Sequence, residues 1–159
     1  APSRGLGDVY KRQSMGCTTV LLATELDLPD QVKAVVADCG FTSAWEQIKH
    51  TIKTNMRLPA FPSLYLVSLF ARIFAGIRLR GCDTRKAMEK NTTVPVFFAT
   101  GTRDRVVPPE MTKQNYEACR APKMLLLTEA AHGMSYLAAK AEYEKQLEDF
   151  LEGCLKQID

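Results

Sequence analysis

The sequence predicts an α/β domain with a mostly parallel sheet and flanking helices, because apolar residues from Ser14 onward alternate between short strand-like runs and longer helix-like runs. Two further observations support this class. The strand-like runs are apolar on both alternating faces, as strands covered on both sides must be. Each also ends near a polar or glycine-containing loop, where open parallel sheets build their sites.

Three strands are predicted: Val32 to Cys39 (VKAVVADC), Val94 to Thr100 (VPVFFAT) and Lys123 to Thr128 (KMLLLT). The loops after them read DCGFTS, GTRDRVVPP and EAAHG. Helices fill the intervals. Gly16 to Leu26 is apolar nearly all round, as a helix buried against the sheet would be. Ser43 with Glu46 forms a capping-box pattern that starts a second helix, the hydroxyl accepting from the third N–H and the glutamate reaching back. Pro109 suits the first turn of a helix over Glu110 to Cys119, where its missing N–H has no partner to lose. Tyr143, Leu147, Phe150, Leu151 and Leu155 recur at helical spacing and predict an amphipathic C-terminal helix over the sheet.

The most apolar stretch, Leu58 to Leu79, invites a membrane-spanning reading. Pro59 and Pro62 interrupt its start and Arg72 and Arg78 fall within it, so the uninterrupted run is too short to cross hydrocarbon. It is expected to be a helical, lid-like insertion that offers an acyl pocket, with a plain core helix as the alternative.

Composition narrows the function classes. Of the 159 residues, 46% are hydrophobic and 25% charged, as in an ordinary globular domain. The formal net charge is +3, and Arg4, Asp8, Lys11 and Arg12 account for most of it. The remainder shows too little charge, and no basic stripe, for nucleic-acid binding or electrostatic docking on a membrane. Five cysteines without a CxxC pair argue against a zinc site or a disulfide framework, and reduced thiols fit a cytoplasmic compartment. With no phosphate loop or dinucleotide glycine motif, no cofactor is expected. The oligomeric state is left open.

Residues 1–13 (APSRGLGDVYKRQ) share no pattern with the rest of the chain, and the string DVYKRQ resembles a translated transposase end used in preparing sequencing libraries. They are expected to be a foreign leader, with residues 14–159 forming the C-terminal portion of a single domain. On that expectation the chain alone is inactive or poorly folded, and the longer parent protein is active.

Three short patterns carry chemistry. Ser14-Met15-Gly16 opens the first apolar helix. Gly101-Thr102-Arg103-Asp104-Arg105-Val106-Val107-Pro108 follows the second predicted strand, and Glu129-Ala130-Ala131-His132-Gly133 follows the third. In isolation each has a bland alternative: a helix N-cap serine, a turn aspartate and a surface histidine. Together they resemble the α/β hydrolases. Ser14-Met15-Gly16 resembles the second half of the Gly-x-Ser-x-Gly turn, Asp104 lies in a loop like that of the family's acid, and His132 in one like that of its histidine. The order Ser, Asp, His is the family's order. The first glycine of the turn is absent. The run VKAVVADCGFTS is similar to a bacterial esterase- and peptidase-like group, and the likeness covers essentially Ser14 to Leu155.

The resemblance implies a serine hydrolase cleaving a carboxylic ester, or else a thioester or amide, of a small-molecule acyl substrate. Ser14 would be the nucleophile, His132 the general base, Asp104 the orienting acid and the Met15 N–H an oxyanion donor. A non-catalytic binding protein of the same fold is the competing expectation. Asp38 also ends a strand and is the rival acid. His50 is expected to be an exposed helix residue, and Cys39 a buried thiol without a partner.

Overall fold

The computed structural model describes residues 8–155. Residues 1–7 of the expected leader and the last four residues of the expected domain lie outside them. Four strands form one parallel sheet in the order β1-β2-β3-β4: β1 Asp8–Gln13, β2 Val32–Asp38, β3 Val96–Gly101 and β4 Lys123–Thr128. β2, β3 and β4 are the strands expected from the sequence. β1 is additional: Val9 to Gln13 pair in register with Ala34 to Asp38.

The helices α1 Met15–Ala23, α2 Ala44–Thr54, α3 Ala60–Ala75, α4 Thr84–Lys90, α5 Pro109–Ala118, α6 Ser135–Ala138 and α7 Lys140–Leu155 fill the connections. Parallel neighbours need such crossovers, since a tight turn cannot bring a strand back in the same direction. α1 stops earlier than expected because Glu25 and Leu26 donate to the carbonyls of Leu22 and Ala23, tightening the chain out of the helix. Ser43 accepts from the Glu46 N–H at 3.2 Å, as a capping serine should. The other half of the expected box is replaced, since the Glu46 carboxylate pairs with Lys49.

Alternation along the strands makes two cores. Val35, Ala37, Val96 and Phe98 face α1, α4 and α5 through Cys17, Leu21, Ala87, Met88 and Cys119. Ala34, Val36, Phe97, Ala99 and Leu126 face the other way, onto Tyr143, Phe150 and Cys154 of α7. This three-layer arrangement explains why β2 and β3 read as continuous apolar runs, because both sides of their pleat are covered.

The segment after β2 is held by a buried polar network. The Phe41 carbonyl accepts from Thr18, Thr84 and Asn115, and the Gly40 carbonyl from Thr112. The turn at the carboxyl end of β2 is thereby fixed to α1, α4 and α5. α3 packs mainly on α2 and leaves most of its apolar side chains exposed. Among the described residues no helix is long and apolar enough to cross a membrane.

Candidate active site

Ser14 occupies the single residue between β1 and α1. Its N–H donates to the Asp38 carbonyl at 3.0 Å, which extends the β1–β2 ladder to the last possible residue. The chain must then reverse into a helix at once, and Ser14 does so with φ 52° and ψ −119°. A side chain in this positive-φ region costs on the order of 1–3 kcal/mol, and such strain concentrates at functional sites. Ser14 makes no side-chain capping bond to α1. Its hydroxyl instead lies 3.1 Å from His132 Nε2, so the N-cap alternative does not describe it.

Asp104 and His132 reach the same point from β3 and β4. Beyond the strands the pairing continues, with the Thr102 N–H donating to the Thr128 carbonyl at 2.7 Å and the Arg103 N–H to the Ala130 carbonyl at 3.1 Å. Gly101 permits this approach: a Cβ there would lie 2.7 Å from the Ala130 carbonyl carbon and closer still to its oxygen. The Asp104 side chain is fully buried. Its Oδ1 accepts from the N–H groups of Val106 and Val107, each at 2.9 Å. Its Oδ2 lies 2.7 Å from His132 Nδ1. A carboxylate can only accept, so Nδ1 carries the proton and Nε2 is left to accept from the Ser14 hydroxyl. His132 is 24% exposed, leaving this line of groups open to solvent at one end. Gly133, at φ 69°, turns the chain away immediately after the histidine.

Met15 is the first residue of α1, so its N–H is among those a helix leaves without an intrahelical acceptor, at the positive end of the dipole.

Asp38 is fully buried and its Oδ2 accepts from the Gln13 amide at 3.1 Å. Gln13 also donates to the Gly133 carbonyl at 3.4 Å and so links the end of β2 to the histidine loop. The Tyr143 phenol is pushed well above its ordinary value, chiefly by burial and then by the nearby Asp38.

Two expectations need correcting. His50 is half-buried rather than exposed: its Nε2 lies 3.0 Å from the Arg105 carbonyl, and the neighbouring Gln47 donates to the Val106 carbonyl at 2.7 Å. α2 therefore grips the loop that carries Asp104. Cys39 is buried, at φ 49°, but not isolated. Its sulfur, an Asp104 carboxylate oxygen and a His132 ring nitrogen all lie within 4.8 Å of one another. Burial first, and the charge of Asp38 second, push its thiol up to about 11. These three donors could hold a metal ion, but His132 and Asp104 would have to give up part of their mutual hydrogen bond to do so. Neither the Cys39 cluster nor the α2 grip was visible in the sequence. Gln47 and His50 share a helix face at a spacing of three residues, yet nothing local says what that face touches.

Known proteins share this fold. Residues 14–137 match the family described as serine hydrolase (FSH1). The chain is 31% identical over 150 residues to the uncharacterized protein YqkD of Bacillus subtilis (strain 168), covering 94% of this chain and 48% of YqkD. Among solved structures, the Pyrococcus furiosus esterase Pf2001 superposes with a TM-score of 0.66 at 20% identity, covering 94% of this chain and 54% of that one. Acetyl xylan esterase 1 from Thermoanaerobacterium sp. JW/SL YS485 gives 0.58 at 16% identity, covering 92% and 45%. The Pyrococcus horikoshii acylaminoacyl peptidase gives 0.60 at 15% identity, covering 91% and 23%. The chain thus spans about half the length of its curated relative YqkD and of Pf2001. At these identities the structures establish the fold, which is that of the α/β hydrolases. Together with the family match, this fold places the chain in the serine hydrolase (FSH1) family.

Proposed function

We propose that the protein hydrolyses a carboxylic ester through an acyl-serine intermediate, with Ser14 as nucleophile, His132 as general base and acid, and Asp104 as the group that orients the imidazole. The observation that carries this reading is the unbroken line from Ser14 Oγ to His132 Nε2 at 3.1 Å and from His132 Nδ1 to Asp104 Oδ2 at 2.7 Å. The strained turn that presents the serine supports it further.

In the proposed reaction Ser14 Oγ attacks the acyl carbon while its proton passes to His132 Nε2. The imidazolium formed is stabilised by the buried Asp104 carboxylate. The Met15 N–H faces the developing oxyanion, where a fixed donor acts without reorganising. Nε2 then returns the proton to the departing alkoxide and the ester C–O bond breaks. A water molecule, deprotonated by the same nitrogen, attacks the acyl-serine and releases the acid.

Hydrolysis of p-nitrophenyl acyl esters tests the proposal. A burst of p-nitrophenol stoichiometric with enzyme is expected, and Ser14→Ala should abolish both burst and turnover. Turnover that survives Ser14→Ala would refute the nucleophile assignment.

A further inference from the structure

Charge is segregated sharply along this chain. Between Glu46 and Asp83 stand Lys49, Lys53, Arg57, Arg72, Arg78 and Arg80, with no acidic residue among them. The near-neutral balance of the whole sequence conceals this local excess. All of these but Lys49 are exposed, and Arg80 lies over the Trp45 ring at 3.9 Å.

The same segment holds the largest concentration of exposed apolar side chains. Leu66, Leu69, Phe70, Ile73 and Phe74 of α3 are exposed, Phe74 at 80%. At about 100° per residue these five fan across an arc of roughly 140° on one side of the helix, opposite the buried Leu64. Phe70 and Phe74 stack there, with ring centroids 5.8 Å apart. Phe61, Met56, Leu58 and Ile77 extend the apolar surface beyond both ends of the helix. Scattered exposed leucines are ordinary, whereas a contiguous apolar face with basic residues beside it marks an interaction surface.

We propose that this α3 face docks the protein on an anionic lipid surface, with the aromatic and aliphatic side chains of α3 entering the headgroup boundary and the exposed Arg57, Arg72 and Arg78 meeting lipid phosphates. Charge complementarity selects this occupant. A neutral apolar protein face would satisfy α3 but leave the exposed Arg57, Arg72 and Arg78 unanswered, whereas an anionic bilayer interface satisfies both. The helix lies in the interface and does not cross it, which agrees with its length. Docking of this kind is independent of the catalytic reading.

Co-flotation of the chain with vesicles of phosphatidylcholine containing phosphatidylglycerol, and with phosphatidylcholine vesicles alone, tests it. Binding is expected with the anionic vesicles, weakening as added salt shortens the Debye length from about 10 Å at 0.1 M to about 3 Å at 1 M. Replacing Arg72 and Arg78 together by glutamine should lower partitioning about 30-fold, at roughly fivefold per basic residue near the surface. Phe70→Glu with Phe74→Glu should abolish binding, and both positions are exposed, so the fold is not at stake. Equal binding to both vesicle types, or none to either, would overturn the proposal. So would a dimer in sedimentation that dissociates on Phe74→Glu, since the occupant would then be a second copy of the chain.

Discussion

Replacing Asp104 by asparagine separates orientation from architecture at the proposed site. The amide oxygen can still accept from the Val106 and Val107 N–H groups, which Asp104 now satisfies at 2.9 Å each, so the loop keeps its anchor. The amide nitrogen, however, would face His132 Nδ1 where a carboxylate oxygen stands at 2.7 Å. Two donors cannot pair, so the imidazole takes the other tautomer, with its proton on Nε2 and none to accept from Ser14. Loss of the correct tautomer in a Ser-His-Asp site costs about ten-thousand-fold in turnover, or about 5 kcal/mol of transition-state stabilisation. Asp104→Ala should be as inactive and also less stable, because two N–H groups lose their acceptor at about 1–3 kcal/mol each. Initial rates with a p-nitrophenyl ester, together with urea denaturation, measure both effects. Asp38→Asn in parallel should keep turnover within about tenfold of the parent, since the effect on tautomer runs through Asp104. If Asp38→Asn were the crippling change and Asp104→Asn mild, the assignment of the acid would be refuted.

Three other outcomes rest on named contacts. Gly101→Ala should destabilise the fold by a few kcal/mol, of the order of about 1–3 for an overpacked core position, because its Cβ would meet the Ala130 backbone and wedge the two site loops apart; thermal melting reads this directly. Removing the α2 grip with Gln47→Ala and His50→Ala together should cost about 2 kcal/mol of stability, and up to about a hundredfold in kcat with little change in KM, since the loop that carries Asp104 loses two anchors. Exposed Cys82 should react with iodoacetamide at neutral pH while buried Cys39 does not. The Cys39 thiol is raised to about 11 in the folded protein against about 8.5 unfolded. Its contribution to stability is therefore complete below about 8.5 and is lost as pH rises toward about 11, a decline that Cys39→Ala should soften in alkaline denaturation.

The parts of the fold that were legible in the sequence are those whose cause is local. β2 and β3 announce themselves because strands covered on both faces are apolar almost throughout, β4 by its central run of methionine and leucine, and Pro109 and Ser43 mark helix starts by their own chemistry. β1 was not legible: DVYKRQ alternates no apolar face, and its strand character comes from pairing with β2. The short α4 and α6 carry too few residues for a periodic signal. At the candidate site, the two loops stand out because Gly101, Asp104 and Pro108 sit at fixed offsets in one, and His132 with Gly133 follows a predicted strand in the other. The neighbours that hold them, Gln47, His50, Cys39 and Gln13, come from other elements, and their roles arise only when the sheet assembles. The basic character of the α2–α3 segment was hidden for a different reason, since net charge summed over the whole chain cancels a local excess.

Central to the proposed chemistry is the activation of Ser14 by His132 and Asp104 as one unit. Mass-spectrometric mapping of a fluorophosphonate adduct on the folded protein addresses this most directly. A single phosphonyl group on the peptide containing Ser14 is expected, with labelling lost in Ser14→Ala and strongly slowed in His132→Ala and Asp104→Asn. An adduct on another residue, or labelling of Ser14 at an unchanged rate in His132→Ala, would contradict it.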